Sequence, residues 1–187
     1  MTPKTIIHLL SGGLDSVTML YDLSSQGHLV HCLLFDYKQA HKRELQLAKY
    51  HANRCGVLYT VMELPDLGGL TEQSWIVPNR NAVFLSLAVN LAIKAKADTI
   101  TIGCNKDDEA YFPDCRKPFL DAMNAAVKAA GYDIELCAPY LDLPKWKIGA
   151  MAREMGIRSS DVWTCYRGEE QPCGECPACK KLSEALR

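Results

Sequence analysis

A chain of 187 residues with 48% hydrophobic and 23% charged side chains has ordinary globular composition and the length of one domain. A formal net charge of −1 gives no overall electrostatic case for nucleic acid or an anionic membrane surface. No apolar run reaches the ~20 residues of a membrane span, and Ile6 to Leu10 is too short for a signal-peptide core, so a cytoplasmic protein is expected.

The predicted elements alternate between strand and helix. Thr5 to Leu10 is a β-branched apolar run and reads as a buried strand, ending at Ser11-Gly12-Gly13. A helix follows from Asp15, with Val17, Leu20 and Tyr21 on one face, and stops at Gly27. Leu29 to Phe35 is a second strand, Glu44 to Arg54 a helix, and Leu58 to Glu63 a third strand. Asp66 to Pro78 is rich in turn residues. Ala82 to Lys96 is a strongly apolar helix, Thr99 to Gly103 a strand, Phe119 to Ala130 a helix and Ile134 to Ala138 a strand. Lys145 to Met155 is the next helix, and the tail is a loop with a short final helix. This alternation predicts an α/β fold: a doubly wound, mostly parallel sheet covered on both faces. Such a sheet binds ligands at the carboxyl ends of its strands. The one composition shift falls near Ser159, which divides the chain into a body, 1–158, and a Cys-, Pro- and Gly-rich tail, 159–187, packed on the same domain.

Two motifs carry chemistry. Ser11-Gly12-Gly13-Leu14-Asp15-Ser16 joins the first strand to the first helix. Two glycines permit close approach of a phosphate, and the helix supplies unpaired N–H groups at its positive end. That makes an anion site; a plain Gly-rich turn with Ser11 or Asp15 capping the helix is the competing reading. The hexapeptide lacks the Lys-Ser/Thr ending of a Walker loop and is not Gly-x-Gly-x-x-Gly. In the tail, Cys165, Cys173, Cys176 and Cys179 place four of the nine cysteines within a short, turn-rich stretch. Four thiolates suit tetrahedral, structural Zn²⁺. An iron–sulfur run would continue with cysteine where Ser183 stands, and a redox pair at Cys176 and Cys179 would leave two thiols unexplained.

The hexapeptide resembles the signature of the PP-loop ATP pyrophosphatases, which cleave ATP between the α- and β-phosphates and adenylate an oxygen of the substrate. Phe35-Asp36-Tyr37, Gln39 and His41, Val77-Pro78-Asn79-Arg80-Asn81, Pro113-Asp114-Cys115-Arg116 and Thr164-Cys165-Tyr166 extend the likeness over nearly the whole chain. Together with the cysteine tail they resemble the 7-cyano-7-deazaguanine synthase family. The resemblance implies conversion of 7-carboxy-7-deazaguanine and ammonia to the nitrile through carboxylate and amide adenylates, using ATP and Mg²⁺. It also implies a structural Zn²⁺ and a homodimer.

On that resemblance, Ser11, Gly12, Gly13, Leu14, Asp15 and Ser16 hold the phosphates, with Asp36 at the nucleotide or metal. Asp15, Ser16, Arg80 and Lys145 are the expected catalytic residues. Arg80, Asn81, Asp114 and Arg116 are expected at the substrate. Each has a plainer reading: a surface arginine at Arg80, a solvated lysine at Lys145, a loop salt bridge between Asp114 and Arg116, a turn cap at Asp36. His8 reads as a packed core histidine, and Cys32, Cys55, Cys104 and Cys137 as small buried hydrophobes. Gln39 and His41 are weaker candidates. Lys38 and Asn79 stand where the family has glycine, and the 66–78 loop is shorter than in the synthases. A trimmed loop implies a more open pocket, so a different or larger acceptor, protein or nucleic acid, is the alternative. A zinc-stapled, non-catalytic nucleotide-binding module is the second alternative.

Overall fold

A computed structural model describes residues 2–39, 42–67 and 77–187. The strands are β1 (Thr5–Leu9), β2 (Leu29–Asp36), β3 (Leu58–Glu63), β4 (Thr99–Thr101) and β5 (Glu135–Cys137). They form one sheet in the order β3-β2-β1-β4-β5, and every pairing is parallel. The helices are α1 (Leu14–Ser25), α2 (Lys42–Arg54), α3 (Arg80–Ala95), α4 (Lys117–Ala129), α5 (Lys145–Glu154) and α6 (Pro177–Ala185). None among the described residues is long and apolar enough to cross a membrane.

Strand alternation builds two cores from one sheet. Ile6 and Leu10 face one layer, with Val17 and Leu20 of α1, Ala48 of α2 and Ile148 of α5. Ile7 and Leu9 face the other, with Phe84, Leu85 and Ala88 of α3 and Leu120 of α4. Both faces of β1 are therefore buried, which explains its nearly unbroken apolar sequence. The tail joins the first layer: Leu182 and Ala185 of α6 share a core with Val17 and Ile148. Contact there is backbone-close, since a Cβ on Gly149 would lie 1.9 Å from the Ala185 carbonyl oxygen.

The expected elements all form, with shifted ends. α3 begins at Arg80 rather than Ala82, and α4 at Lys117 rather than Phe119, where Pro118 suits the first turn. β4 stops at Thr101, short of Gly103. Short 3-10 turns at Lys106–Asp108, Pro113–Cys115 and Ser159–Asp161 have no hydrophobic period to announce them. Of the 66–78 loop, 68–76 lies outside the described residues, as does His41.

The strand order reverses at β1: the chain runs outward to β2 and β3, then returns to β4 on the other side. Segments following β1 and β4 therefore diverge around a crevice, the switch point at which open α/β sheets take their ligands.

Candidate active site

A cavity of about 570 Å³ opens at this switch point, within the range of small-molecule sites. Its floor is the 11–16 loop. No side chain caps α1 at Gly13, so the helix N-terminus is free to meet an anion. The loop is braced from within: the Ser11 and Ser16 hydroxyls lie 2.9 Å apart, Gly13 N–H donates to Ser11 Oγ at 3.2 Å, and Ser16 Oγ donates to the Gly13 carbonyl at 3.2 Å. Gly12 sits at φ 90°, and a Cβ there would meet the Glu44 carbonyl oxygen at 2.3 Å. Glycine is required at that position both by its backbone and by the approach of α2.

His8 supports the loop from beneath. It is fully buried, and its Nε2 lies 2.8 Å from the Ser16 carbonyl, which can only accept; Nε2 is therefore protonated. Nδ1 then accepts from the Thr101 hydroxyl at 2.8 Å. Burial holds the imidazole neutral, its pKa lowered to about 4 despite the Ser16 carbonyl. This is a core histidine, as expected, and it also ties β1 and β4 to the first turn of α1.

Four polar side chains from three segments converge beside the loop. Lys145 Nζ, from the start of α5, donates to both oxygens of Asp15 at 2.7 Å. Asn105, fully buried after β4, donates through Nδ2 to Asp15 at 2.9 Å and to Asp108 at 2.7 Å. Burial opposes the Lys145 charge, yet Asp15 and Asp108 outweigh it and raise its pKa above the usual lysine value. Burial and the nearby Asp15 push the Asp108 carboxyl up to about 6, against Lys145 and the Asn105 backbone. Asn105 and Asp108 were not anticipated; the only signal was their position just past the carboxyl end of a strand.

Arg80 forms the opposite wall. Its Nη1 donates to the Tyr37 hydroxyl at 3.1 Å, and its guanidinium lies 5.6 Å from the Phe84 ring centre. Burial disfavours its charge, but Tyr37 and Glu44 more than restore it. Phe84 stacks on Phe35 at 4.0 Å, and both rings line the cavity beside the cation. Asn81 is buried: its backbone N–H donates to Asp114 Oδ2 and its Nδ2 to the Asp114 carbonyl, both at 3.2 Å. Asp114 thereby holds the start of α3 and lines the cavity.

Ser11, Gly13, Leu14, Asp15, Ser16, Arg80, Asn81, Asp114 and Lys145 thus line one cavity. Gly12 lies just behind, its carbonyl accepting the Trp163 N–H at 3.0 Å. Two expected residues are not brought there. Arg116 is exposed and donates to the Glu109 carbonyl at 2.7 Å, because the Pro113–Cys115 turn points it outward. Asp36 accepts the Lys38 N–H at 3.1 Å, the turn-cap arrangement. Gln39 reaches the wall but is engaged with the backbone of Tyr37 and Phe35.

The tail cysteines gather at one point. The sulfurs of Cys165, Cys173, Cys176 and Cys179 all lie within 4.8 Å of one another, so the group could hold a metal ion. Backbone N–H groups point at three sulfurs, from Cys173 to Cys165 at 3.4 Å, Cys176 to Cys173 at 3.3 Å and Cys179 to Cys176 at 3.5 Å. Such bonds favour thiolate, and those of Cys176 and Glu175 lower Cys173 to about 6. The remaining cysteines divide by place. Cys32 is core, whereas Cys104 and Cys115 line the cavity, where Asn81 Nδ2 lies 3.4 Å from Cys115 Sγ.

A family model described as "Queuosine biosynthesis protein QueC" matches residues 5–76 and 71–187. The chain belongs to this family. It is 38% identical to the 7-cyano-7-deazaguanine synthase of Caldicellulosiruptor saccharolyticus, over 96% of this chain and 89% of that one. It is 37% identical to that of Pseudoalteromonas translucida, over 100% and 94%. The family is one of enzymes, and membership agrees with the expectation from the motifs. Solved structures share the fold at low identity. NMN synthetase from Francisella tularensis superposes with TM-score 0.62 at 14% identity, covering 92% of this chain and 71% of that one. The U34-tRNA thiolase NcsA from Methanococcus maripaludis, solved with its [4Fe-4S] cluster, gives 0.60 at 16%, covering 99% and 65%.

Proposed function

We propose that this enzyme converts 7-carboxy-7-deazaguanine and ammonia to 7-cyano-7-deazaguanine at the expense of two ATP. The observation that carries the reading is the uncapped N-terminus of α1, opening into the cavity beside the Lys145–Asp15 pair. A carboxylate is a poor electrophile, so its oxygen first attacks the α-phosphate and pyrophosphate leaves. Ammonia displaces AMP to give the amide. The amide oxygen is then adenylated in turn, and loss of AMP yields the nitrile. The 11–16 loop and α1 receive the departing pyrophosphate, and Lys145 offsets charge growing on it. Arg80, held over the Phe84 ring, clamps the substrate carboxylate or the α-phosphate. Asp114 accepts from the N–H edge of the substrate heterocycle.

Asp15 and Asp108 offer the hard oxygen donors that suit Mg²⁺, which when bound would neutralise phosphate charge. The four-cysteine group fits Zn²⁺: Zn–S bonds of ~2.3 Å imply sulfurs about 3.8 Å apart, and Cys173 and Cys179 are 3.9 Å apart. Four sulfurs this close surround one ion and leave no volume for a cluster of irons and sulfides. We read residues 1–158 as the adenylating body and 159–187 as the metal-pinned tail of a cytoplasmic homodimer.

The test is incubation with ATP, Mg²⁺, ammonium and 7-carboxy-7-deazaguanine, with AMP and nitrile followed by mass spectrometry. Two AMP per nitrile is expected. AMP formed only with a protein or nucleic-acid acceptor would replace the small-molecule reading. AMP formed under no condition would remove the enzymatic one.

A further inference from the structure

Glu44 lies in the first turn of α2 and lines the cavity. Its place is set by backbone, since its carbonyl closes against Gly12. The carboxyl hydrogen-bonds Ser11 of the phosphate loop and faces Arg80 from α3 and Tyr37 from the end of β2. The proposed reaction makes a repeated demand at one atom: all three protons of ammonia must leave, one as the amide forms and two as the nitrile forms. Four carboxyls line the cavity among the described residues. All four have partners: Asp15 bonds Lys145 and Asn105, Asp108 bonds Asn105, Asp114 bonds Asn81 and Glu44 bonds Ser11, so position rather than freedom distinguishes them. Glu44 stands apart from the Lys145 cluster, between the phosphate loop and the arginine expected at the acyl group.

We propose that Glu44 is the general base that takes the nitrogen protons, an inference that rests on the reaction proposed above. In the first half, the ammonia lone pair forms the C–N bond, AMP leaves with the C–O pair, and one N–H proton passes to the Glu44 carboxylate. In the second half, the amide oxygen displaces pyrophosphate from ATP. Glu44 loses the first proton to solvent before this half begins, and the two remaining N–H protons pass to it in turn, each released to solvent, as AMP departs and the C≡N bond forms. Burial, partly offset by Arg80 and Ser11, pushes the carboxyl up to about 7, where a base works well at neutral pH.

Two measurements on Glu44→Gln separate this role from a structural one. ATP–pyrophosphate exchange supported by 7-carboxy-7-deazaguanine without ammonium needs no nitrogen base, and should persist. Amide and nitrile formation with ammonium should fall about 10²- to 10⁴-fold. Expressed per free NH3, the wild-type rise of kcat/KM through about pH 7 should vanish in the variant, leaving for total ammonium only the rise set by the ammonium–ammonia equilibrium. Glu44→Asp keeps a carboxyl and should recover part of the amination with its pH limb; it carries the test should the glutamine variant not fold. Loss of exchange together with amination in both variants would reassign Glu44 to the phosphates. Wild-type amination by Glu44→Gln would overturn the proposal outright. Absence of exchange in the wild-type enzyme would instead overturn the reaction itself, and Glu44's role with it.

Discussion

Lys38 and Asn79 occupy the left-handed region at φ 59° and 58°. They are the two positions where the resemblance expects glycine, and both carry the positive φ that glycine adopts without strain. Asparagine tolerates that region; lysine pays about 1–2 kcal/mol for its Cβ. Lys38→Gly should therefore stabilise the protein by about 1 kcal/mol, a rise of roughly 2–4 °C in Tm by calorimetry. Asp15 poses the opposite case. Removing its carboxylate strands the partly buried Lys145 ammonium and loosens Asn105. Asp15→Ala should abolish AMP formation, a loss of at least about 10²-fold by quenched assay, while the circular dichroism of the fold is retained; unchanged turnover would sink the assignment. Which residues meet at the cavity was readable where a motif carried them: Ser11 to Ser16, Arg80, Lys145. Asn105, Asp108 and Glu44 were not, because each gains its meaning from a neighbour about 30 or more positions away.

Among the elements, hydrophobic period located strands and helices well because each buries one stripe or two faces. Ends were less legible, since they answer to local chemistry such as Pro118 in the first turn of α4. The α5–α6 contact shows what period cannot reveal. Gly149 looks like a helix weakness in sequence, yet it is the notch into which α6 closes, against the Ala185 backbone. Gly149→Ala improves helix propensity and should nonetheless destabilise by about 1–3 kcal/mol through overpacking. Thermal melts should show Tm falling by several degrees; a rise would mean that α6 does not sit so close.

Across the whole molecule, the tail ties the four-thiol group to the 11–16 loop. Trp163 N–H donates to the Gly12 carbonyl at 3.0 Å, two residues before Cys165 begins the metal group. The arm that holds the sulfurs therefore also braces the 11–16 loop. Cys176→Ser, or chelation of the native enzyme, should lower zinc content and Tm together and reduce AMP formation at subsaturating ATP. Full zinc occupancy in the variant would take Cys176 out of the ligand set; normal ATP dependence without metal would uncouple the arm from the loop. Composition, periodicity and the two motifs were enough to determine an α/β sheet, a glycine-rich loop between its first strand and first helix and a four-thiol tail, because each depends on residues close in sequence. Tertiary structure alone decided which polar groups meet. It turned Arg116 and Asp36 away from the cavity, joined Asp15 to Lys145 and Asn105, and set Glu44 beside Arg80. Parallel strands are paired through long crossovers, so the residues that converge on one switch point are scattered along the chain, and no local spacing records their meeting.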